Sequence, residues 1–443
     1  MVPNSNEEQG TLLLKNADIL LQKPAWHVLK NGYLGIQNDR ILYIGAEKPP
    51  KKYKAERDLS GHLLMPGLYN THTHAGMSIL RGLGSGKPLQ DWLFNYMMPI
   101  ENRFTGEDIS VGSRISMMEM LASGVVSMSD MYQEVRTYIQ DVIQSGMRAS
   151  LIAPIHMTVT EPGEALDKNL EEAEGLFHEF NGAADGRIHI DFSIHAEYTN
   201  HAEPIRFYAQ LCKKIGARMQ IHLSETKKEQ TECLARRGKT PAAFFRDQGV
   251  FDNPTTAAHC VWVSDEDLDI LKQYDVTAAH NPSSNMKLGS GFMPIRKMLD
   301  KHIRITLGTD GDASNNNQNL FEEMHMAGMI HSGRQLDPTV VQAEDILNMA
   351  IPNGAAAQGR PECGELAVGK KADIAAINLD KPHLMPVHDV TSLLVYSAQG
   401  SDVDLTMVDG KILYDCGEFL TIDEDQVKFD LKKSMERLFG EMK

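Results

Sequence analysis

Basic charge, cysteine and long apolar runs are all scarce in this chain, and each shortage excludes something. Lys and Arg number 44 against 60 Asp and Glu in 443 residues, a formal charge of −16. Nucleic acids and anionic membranes select for basic patches, so neither is expected as a partner. The five cysteines (Cys212, Cys233, Cys260, Cys363, Cys416) are odd in number, scattered and never in a C-x-x-C pair. That excludes a disulfide framework and fits a reduced, cytoplasmic setting. No run of 18 apolar residues occurs, so no helix is expected to span a bilayer. The polar, acidic start MVPNSNEEQG has neither the basic stretch nor the apolar core of a secretion signal. What is present, 42% hydrophobic and 23% charged residues, describes an ordinary globular protein with room for one large core and a smaller unit. Such a chain fits an enzyme acting on a small molecule, with a homo-oligomer left open.

Both ends read as short strands joined by turns. TLLLKNADILL and GYLGIQNDRILYIG lie within 11–59, with a hairpin turn at Asn38-Asp39. LAVGKKADIAAINL and VDLTMVDGKILYDC lie within 366–416, where Asp409-Gly410 is a two-residue hairpin signal. Neither end is long enough for a comfortable sheet of its own. The reading is therefore that 1–59 and 366–443 pair into one small β-sandwich, the second part adding a terminal helix, around an inserted middle of 60–365.

That middle alternates differently. HLLMPGLYN, GVVSMSDM, MRASLIAP, HIDFSIHA, RMQIHLSE, TTAAHCVW, VTAAHNPS and RITLGTDG are brief apolar runs, separated by amphipathic stretches such as EDISVGSRISMMEMLASG and DEDLDILKQY. Runs this apolar suit strands covered on both faces. Eight βα units of this kind close into a (β/α)8 barrel, so the fold class is α/β. Active sites of such barrels form where strands end. His72 and His74 stand at the end of the first run, His195 at the fourth, and His222 with Glu225 at the fifth. His259, His280 and Asp310 stand at the sixth, seventh and eighth. A single buried histidine is usually a satisfied core residue; six at strand ends are not explained that way. Residues two apart on a strand face the same side, so His72 and His74 can grip one ion.

The motifs HTH after Pro66-Gly67, IHLSET, AAHC, HNPSSN and LGTDG, in this order, resemble the amidohydrolase superfamily over nearly the whole chain. Within it the chain resembles the purine and pyrimidine deaminase branch, and also the related triazine hydrolases. The resemblance implies a divalent metal held by His72, His74, His222 and Asp310, zinc ahead of ferrous iron or manganese. It implies one ion per chain, because the fourth run offers His195 and no Lys where two-metal relatives carry a bridging carboxylated lysine. The implied reaction is hydrolytic deamination of a 6-aminopurine nucleoside (methylthioadenosine, adenosine or S-adenosylhomocysteine) to the inosine derivative and ammonia.

In that reaction Glu225 would protonate the ring nitrogen. Asp310 would pass the water's proton to the leaving amine, and His259 would orient the water. Glu101 would bind the ribose hydroxyls, and Trp92, His195 and Arg148 would make further substrate contacts. No second Arg follows Arg148 to meet an amino-acid carboxylate, and His156 stands there instead, which weakens S-adenosylhomocysteine. Guanine or cytosine deamination and triazine dechlorination on the same scaffold are the alternatives, with a non-catalytic scaffold more remote.

Overall fold

The computed structural model describes residues 9–153 and 164–440. Eight parallel strands follow one another around a barrel: Leu68–Thr73, Val125–Asp130, Arg148–Ala153, Ile188–Ile194, Met219–Leu223, Thr255–His259, Thr277–His280 and Ile305–Leu307. All residues of the second and third strands are buried. Helices cover the outer face and side chains fill the inner one, which is why these runs lack the polar alternation of a half-exposed sheet. The first and eighth strands meet through Thr71 Oγ1, which donates to Leu307 O at 2.8 Å, and through Asp310 N, which donates to His72 O at 2.9 Å. These bonds bring two of the candidate metal ligands together across the seam.

The covering helices follow from local chemistry. Asp265–Gln273 starts at Ser264, whose hydroxyl accepts from Asp267 N while Asp267 returns a bond to Ser264 N. That reciprocal cap satisfies two otherwise orphaned amides, and the acidic first turn complements the helix dipole. Leu268, Ile270 and Leu271 then turn inward.

The two ends of the chain do share one sheet. Its strands run in the order Glu418–Phe419, Lys411–Asp415, Val403–Val408, Ile374–Asn378, His62–Pro66, Gly10–Leu21, His27–Gln37 and Arg40–Gly45, with Tyr53–Asp58 also pairing to Gly10–Leu21. It is one continuous mixed sheet folded over on itself rather than two separate ones. Leu14, Ile19, Leu34 and Ile36 from one half share a core with Leu366, Ile374 and Leu405 from the other. Bonds from Ile41 N to Lys370 O and from Ala372 N to Asp39 O join the two halves. The Asp409-Gly410 turn has φ of 49° and 73°, the left-handed pair that a two-residue hairpin of the right twist requires.

One run divides differently from the sequence expectation. HLLMPGLYN is not a single barrel strand: His62–Pro66 joins the mixed sheet and Leu68–Thr73 opens the barrel. Pro66 has no N–H to continue a ladder, and a Cβ at Gly67 would lie 2.2 Å from Val126. Only glycine lets the chain pass from one sheet to the other at that point.

The terminal helix Glu424–Phe439 leaves the sheet and lies on barrel helix Gly106–Ala122. Val427, Leu431, Met435 and Leu438 meet Val111, Ile115 and Met118 there. No helix among the described residues is long and apolar enough to cross a membrane.

Candidate active site

At the C-terminal mouth of the barrel the imidazoles of His72, His74, His222 and His259 crowd together with the carboxylate of Asp310. His74 Nδ1 sits 2.7 Å from Met131 O, and His222 Nδ1 2.8 Å from His195 O. A carbonyl accepts only from a protonated nitrogen, so in both rings Nδ1 carries a hydrogen, and in the neutral ring Nε2 presents a lone pair. Those two Nε2 atoms are 3.3 Å apart. Two bare lone pairs at that distance repel, unless a cation lies against both. His72 Nε2 is buried without a hydrogen-bond partner, an orphan that a metal would satisfy. Asp310 Oδ1 lies 3.3 Å from His74 Nε2 and 3.6 Å from His72 Nε2. The donor set, three imidazoles and one carboxylate, therefore fits a divalent metal held by His72, His74, His222 and Asp310. His259 stands close enough to group with His72 and His222, their ligating nitrogens all within 4.8 Å.

Electrostatics agree with ligand duty. Burial pushes the His72 ring down to about 4 and holds His222 well below the usual imidazole range, so both stay neutral and free to ligate. Burial alone would raise the Asp310 carboxyl, but the facing His72 and His74 rings hold it well below the ordinary carboxylate range, and Asp310 in turn raises His74 against the lowering effect of its burial. Backbone strain gathers here as well: Ser224, His259 and Asp310 have φ of 49°, 73° and 61°, unfavourable for side-chained residues and typical of functional turns.

A cavity of about 290 Å³ opens above the cage. Trp92, Glu101, His195, Glu225 and His259 all line it, together with Tyr132, Tyr198, Met77 and Met98. Glu225 is buried, and burial raises its carboxyl above the usual range. Its Oε2 lies 3.8 Å from His259 Nε2, and its Oε1 accepts from Ser290 Oγ at 2.9 Å. Glu101 is likewise raised by burial and accepts from the Tyr132 hydroxyl at 2.7 Å. Burial pushes His195 down to about 3.

Arg148 is not brought to this cavity. It begins its strand, at the opposite end of the barrel from the site, and is fully engaged there. Its Nε and Nη2 donate to Asp373 at 2.7 and 2.9 Å, and Nη2 also meets Asp409. The substrate contact expected of it is corrected to a buried ion pair between barrel and sheet. His280 does not line the cavity either; its Nε2 pairs with His331 Nε2 at 2.9 Å. His156 lies outside the described residues.

The amidohydrolase family pattern matches residues 63–413. The chain belongs to the amidohydrolase family. A 5-methylthioadenosine/S-adenosylhomocysteine deaminase of Acetivibrio thermocellus is 41% identical, over 96% of this chain and 99% of that protein. A 5′-deoxyadenosine deaminase of Methanosarcina acetivorans is 42% identical, over 96% and 98%. Among solved structures, a zinc-bound adenosine deaminase from Xanthomonas campestris superposes with a TM-score of 0.91 at 26% identity, covering 97% of this chain and 99% of that one.

Several residues of this amidohydrolase site escaped sequence reasoning. Ser284 Oγ donates to Asp310 Oδ2 at 2.6 Å, and Asn285 Oδ1 sits 2.9 Å from His259 Nδ1. Both belong to HNPSSN, a motif that sequence reading used only for its turn and its histidine. Their neighbour Glu323 accepts from Ser283 N and Asn315 Nδ2, and nothing in its helical sequence context marks it. Tyr132 carries a weak signal in retrospect, since it follows the second strand by two residues, where the other site groups also stand.

Proposed function

We propose that this protein hydrolytically deaminates a 6-aminopurine nucleoside, releasing ammonia and the inosine derivative, with one zinc ion per chain. The observation that carries this reading is the placement of Glu225 and Glu101 in one cavity directly above the His72, His74, His222 and Asp310 cage. Names of relatives about 40% identical over nearly full length support it. The metal supplies Lewis acidity that makes water a nucleophile near neutral pH.

The protein's own groups do the rest. Glu225, whose carboxyl burial raises, gives its proton to the ring nitrogen beside C6, so that the ring can take up the electron pair as water adds. Asp310 accepts the water's first proton and passes it to the departing amine, so ammonia leaves neutral, and the remaining hydroxyl proton restores Glu225 as the carbonyl forms. His259, fixed by Asn285, orients the water through Nε2. Glu101 accepts from a ribose hydroxyl, and Trp92 walls the nucleoside. No Arg or Lys is among the described residues lining the cavity.

A panel of adenosine, 5′-deoxyadenosine, methylthioadenosine and S-adenosylhomocysteine with guanine, cytosine and a chlorotriazine tests the reading through ultraviolet absorbance loss and ammonia release. Fast turnover of at least one nucleoside is expected. Activity confined to a free base or a triazine would sink the substrate assignment.

A further inference from the structure

Glu229 lies on the helix Lys227–Arg237, at its third position after the cap Thr226. A Thr cap followed three residues later by Glu is the pattern of a reciprocal capping box, in which the carboxylate returns to the cap's own backbone N–H. Half of that box is present: Thr226 Oγ1 accepts from Glu229 N at 3.1 Å. The other half is redirected. Glu229 Oε1 accepts from Ser224 N at 2.9 Å, and Oε2 from Glu225 N at 2.8 Å. The carboxylate thus reaches past the cap and clasps two consecutive amides in the turn between strand and helix.

That turn is the one that aims Glu225. It contains Ser224 in a left-handed backbone conformation, φ 49°, which is unfavourable for a side-chained residue and reverts unless something holds it. Trp262 N donates to Ser224 O at 2.8 Å, and Glu229 fixes the amide side. Glu229 is itself 2% exposed, so its two bonds are made where water cannot replace them. The far end of the same helix is anchored too. Arg236 and Arg237 pair with Glu197, which sits in the loop that carries His195 and Tyr198.

We propose that Glu229 is a positioning residue that holds Glu225 in the geometry needed for proton delivery, by clasping the Ser224 and Glu225 amides. The inference rests on the reading of Glu225 as the acid. A carboxylate can accept both amides, whereas the isosteric amide of Gln can accept one and turns an N–H₂ toward the other. The turn in Glu229→Gln should therefore relax and displace the acid, and misplacement by about 1 Å costs up to ~100-fold in rate.

The test compares Glu225→Gln, Glu229→Gln and the double variant on adenosine and on 6-chloropurine riboside. The amino group of adenosine donates electrons into the ring whereas chlorine withdraws them, so the chloro ring takes up the incoming electron pair with less help from ring-nitrogen protonation and depends less on the acid. Glu229→Gln should keep the metal and a KM within about threefold of wild type, while kcat on adenosine falls about tenfold or more. The fall on the chloro substrate should be much smaller, and the double variant no slower than Glu225→Gln, since both changes disable one device.

Equal losses on both substrates, or loss of the metal, would make Glu229 a general support of the strand end or of His222 and overturn the inference. A slow Glu225→Gln beside a normal Glu229→Gln overturns this inference alone. A normal Glu225→Gln removes the acid assignment and the inference with it. If Glu229→Gln fails to fold, Glu229→Asp makes the same distinction, because it keeps the charge but is one methylene short of spanning both amides. A loss selective for adenosine supports the inference, and an equal loss on both substrates overturns it.

Discussion

Glu101 and Glu225 are both lifted by burial into the same cavity, yet their partners separate their work. Glu225 leans toward His259 and the cage, whereas Glu101 is tied to Tyr132 on the cavity wall. If Glu101 holds the ribose, Glu101→Ala should lower kcat/KM for adenosine about tenfold or more, a charge-assisted hydrogen bond being worth ~1.5–3 kcal/mol. A 2′,3′-dideoxy analogue, having no diol to lose, should be affected far less; steady-state kinetics on the pair make the comparison. The cage makes a second prediction. No lysine stands at the end of the fourth strand, where His195 lines the cavity, so elemental analysis should find one divalent ion per chain. Dialysis against a chelator should abolish turnover, and stoichiometric zinc should restore it.

Strand ends and their following turns carry the site, and glycine decides how closely they approach. Gly308 follows the eighth strand, and a Cβ there would lie 2.8 Å from His72 Cβ and 2.9 Å from His72 N, with the Asn281 side chain at 2.6 Å. The Asn281 amide could swing aside, but His72 N is backbone and His72 Cβ is tied to it, so these two cannot yield. Gly308→Ala should destabilise by about 1–3 kcal/mol, the usual cost of overpacking, and push His72 away from its partners. A lower melting temperature together with a reduced metal content is expected; a normal metal content would show that the seam has slack. The terminal helix offers a milder case. Its apolar row is only partly covered against Gly106–Ala122, so Leu431→Ala should cost less than a core Leu→Ala change, for which ~2–5 kcal/mol is usual.

Barrel and folded sheet are locked together by charge as well as by packing. Arg148 is buried against Asp373 and Asp409, and Asp409 also meets Lys371. Removing one partner of a buried ion pair strands the other, which costs about 3–5 kcal/mol. Arg148→Met should therefore lower stability by that order in chemical denaturation, while KM for every nucleoside stays near wild type below the unfolding transition. A selective rise in KM for S-adenosylhomocysteine would return Arg148 to the substrate. The N-terminal and C-terminal strands have no separate existence in this arrangement, because Ile374–Asn378 pairs directly with His62–Pro66. Truncating either end should unfold the other's strands as well.

Periodicity and strand-end chemistry made much of this legible in advance. Eight doubly covered strands show as eight apolar runs, and the candidate ligands stand in or within three residues of their C-terminal ends, because side-chain period and strand length are local properties. Strand ends marked His72, His74, His195, His222, His259, His280 and Asp310 alike, and the resemblance to the amidohydrolases pointed to four of them as the metal set; the Asp409-Gly410 turn was legible because glycine supplies the left-handed backbone. Long-range contacts were not legible. Arg148 sits in a strand like its neighbours, and only the fold shows that it begins the strand far from the cavity and faces two aspartates more than 220 residues away in sequence. The division of HLLMPGLYN at Gly67 depends on Val126, which no local pattern announces. Glu229 and Ser290 were invisible for the same cause. Each acts through a hydrogen bond whose partner is chosen by how the chain packs, and a buried carboxylate three residues into a helix reads in sequence as an ordinary cap.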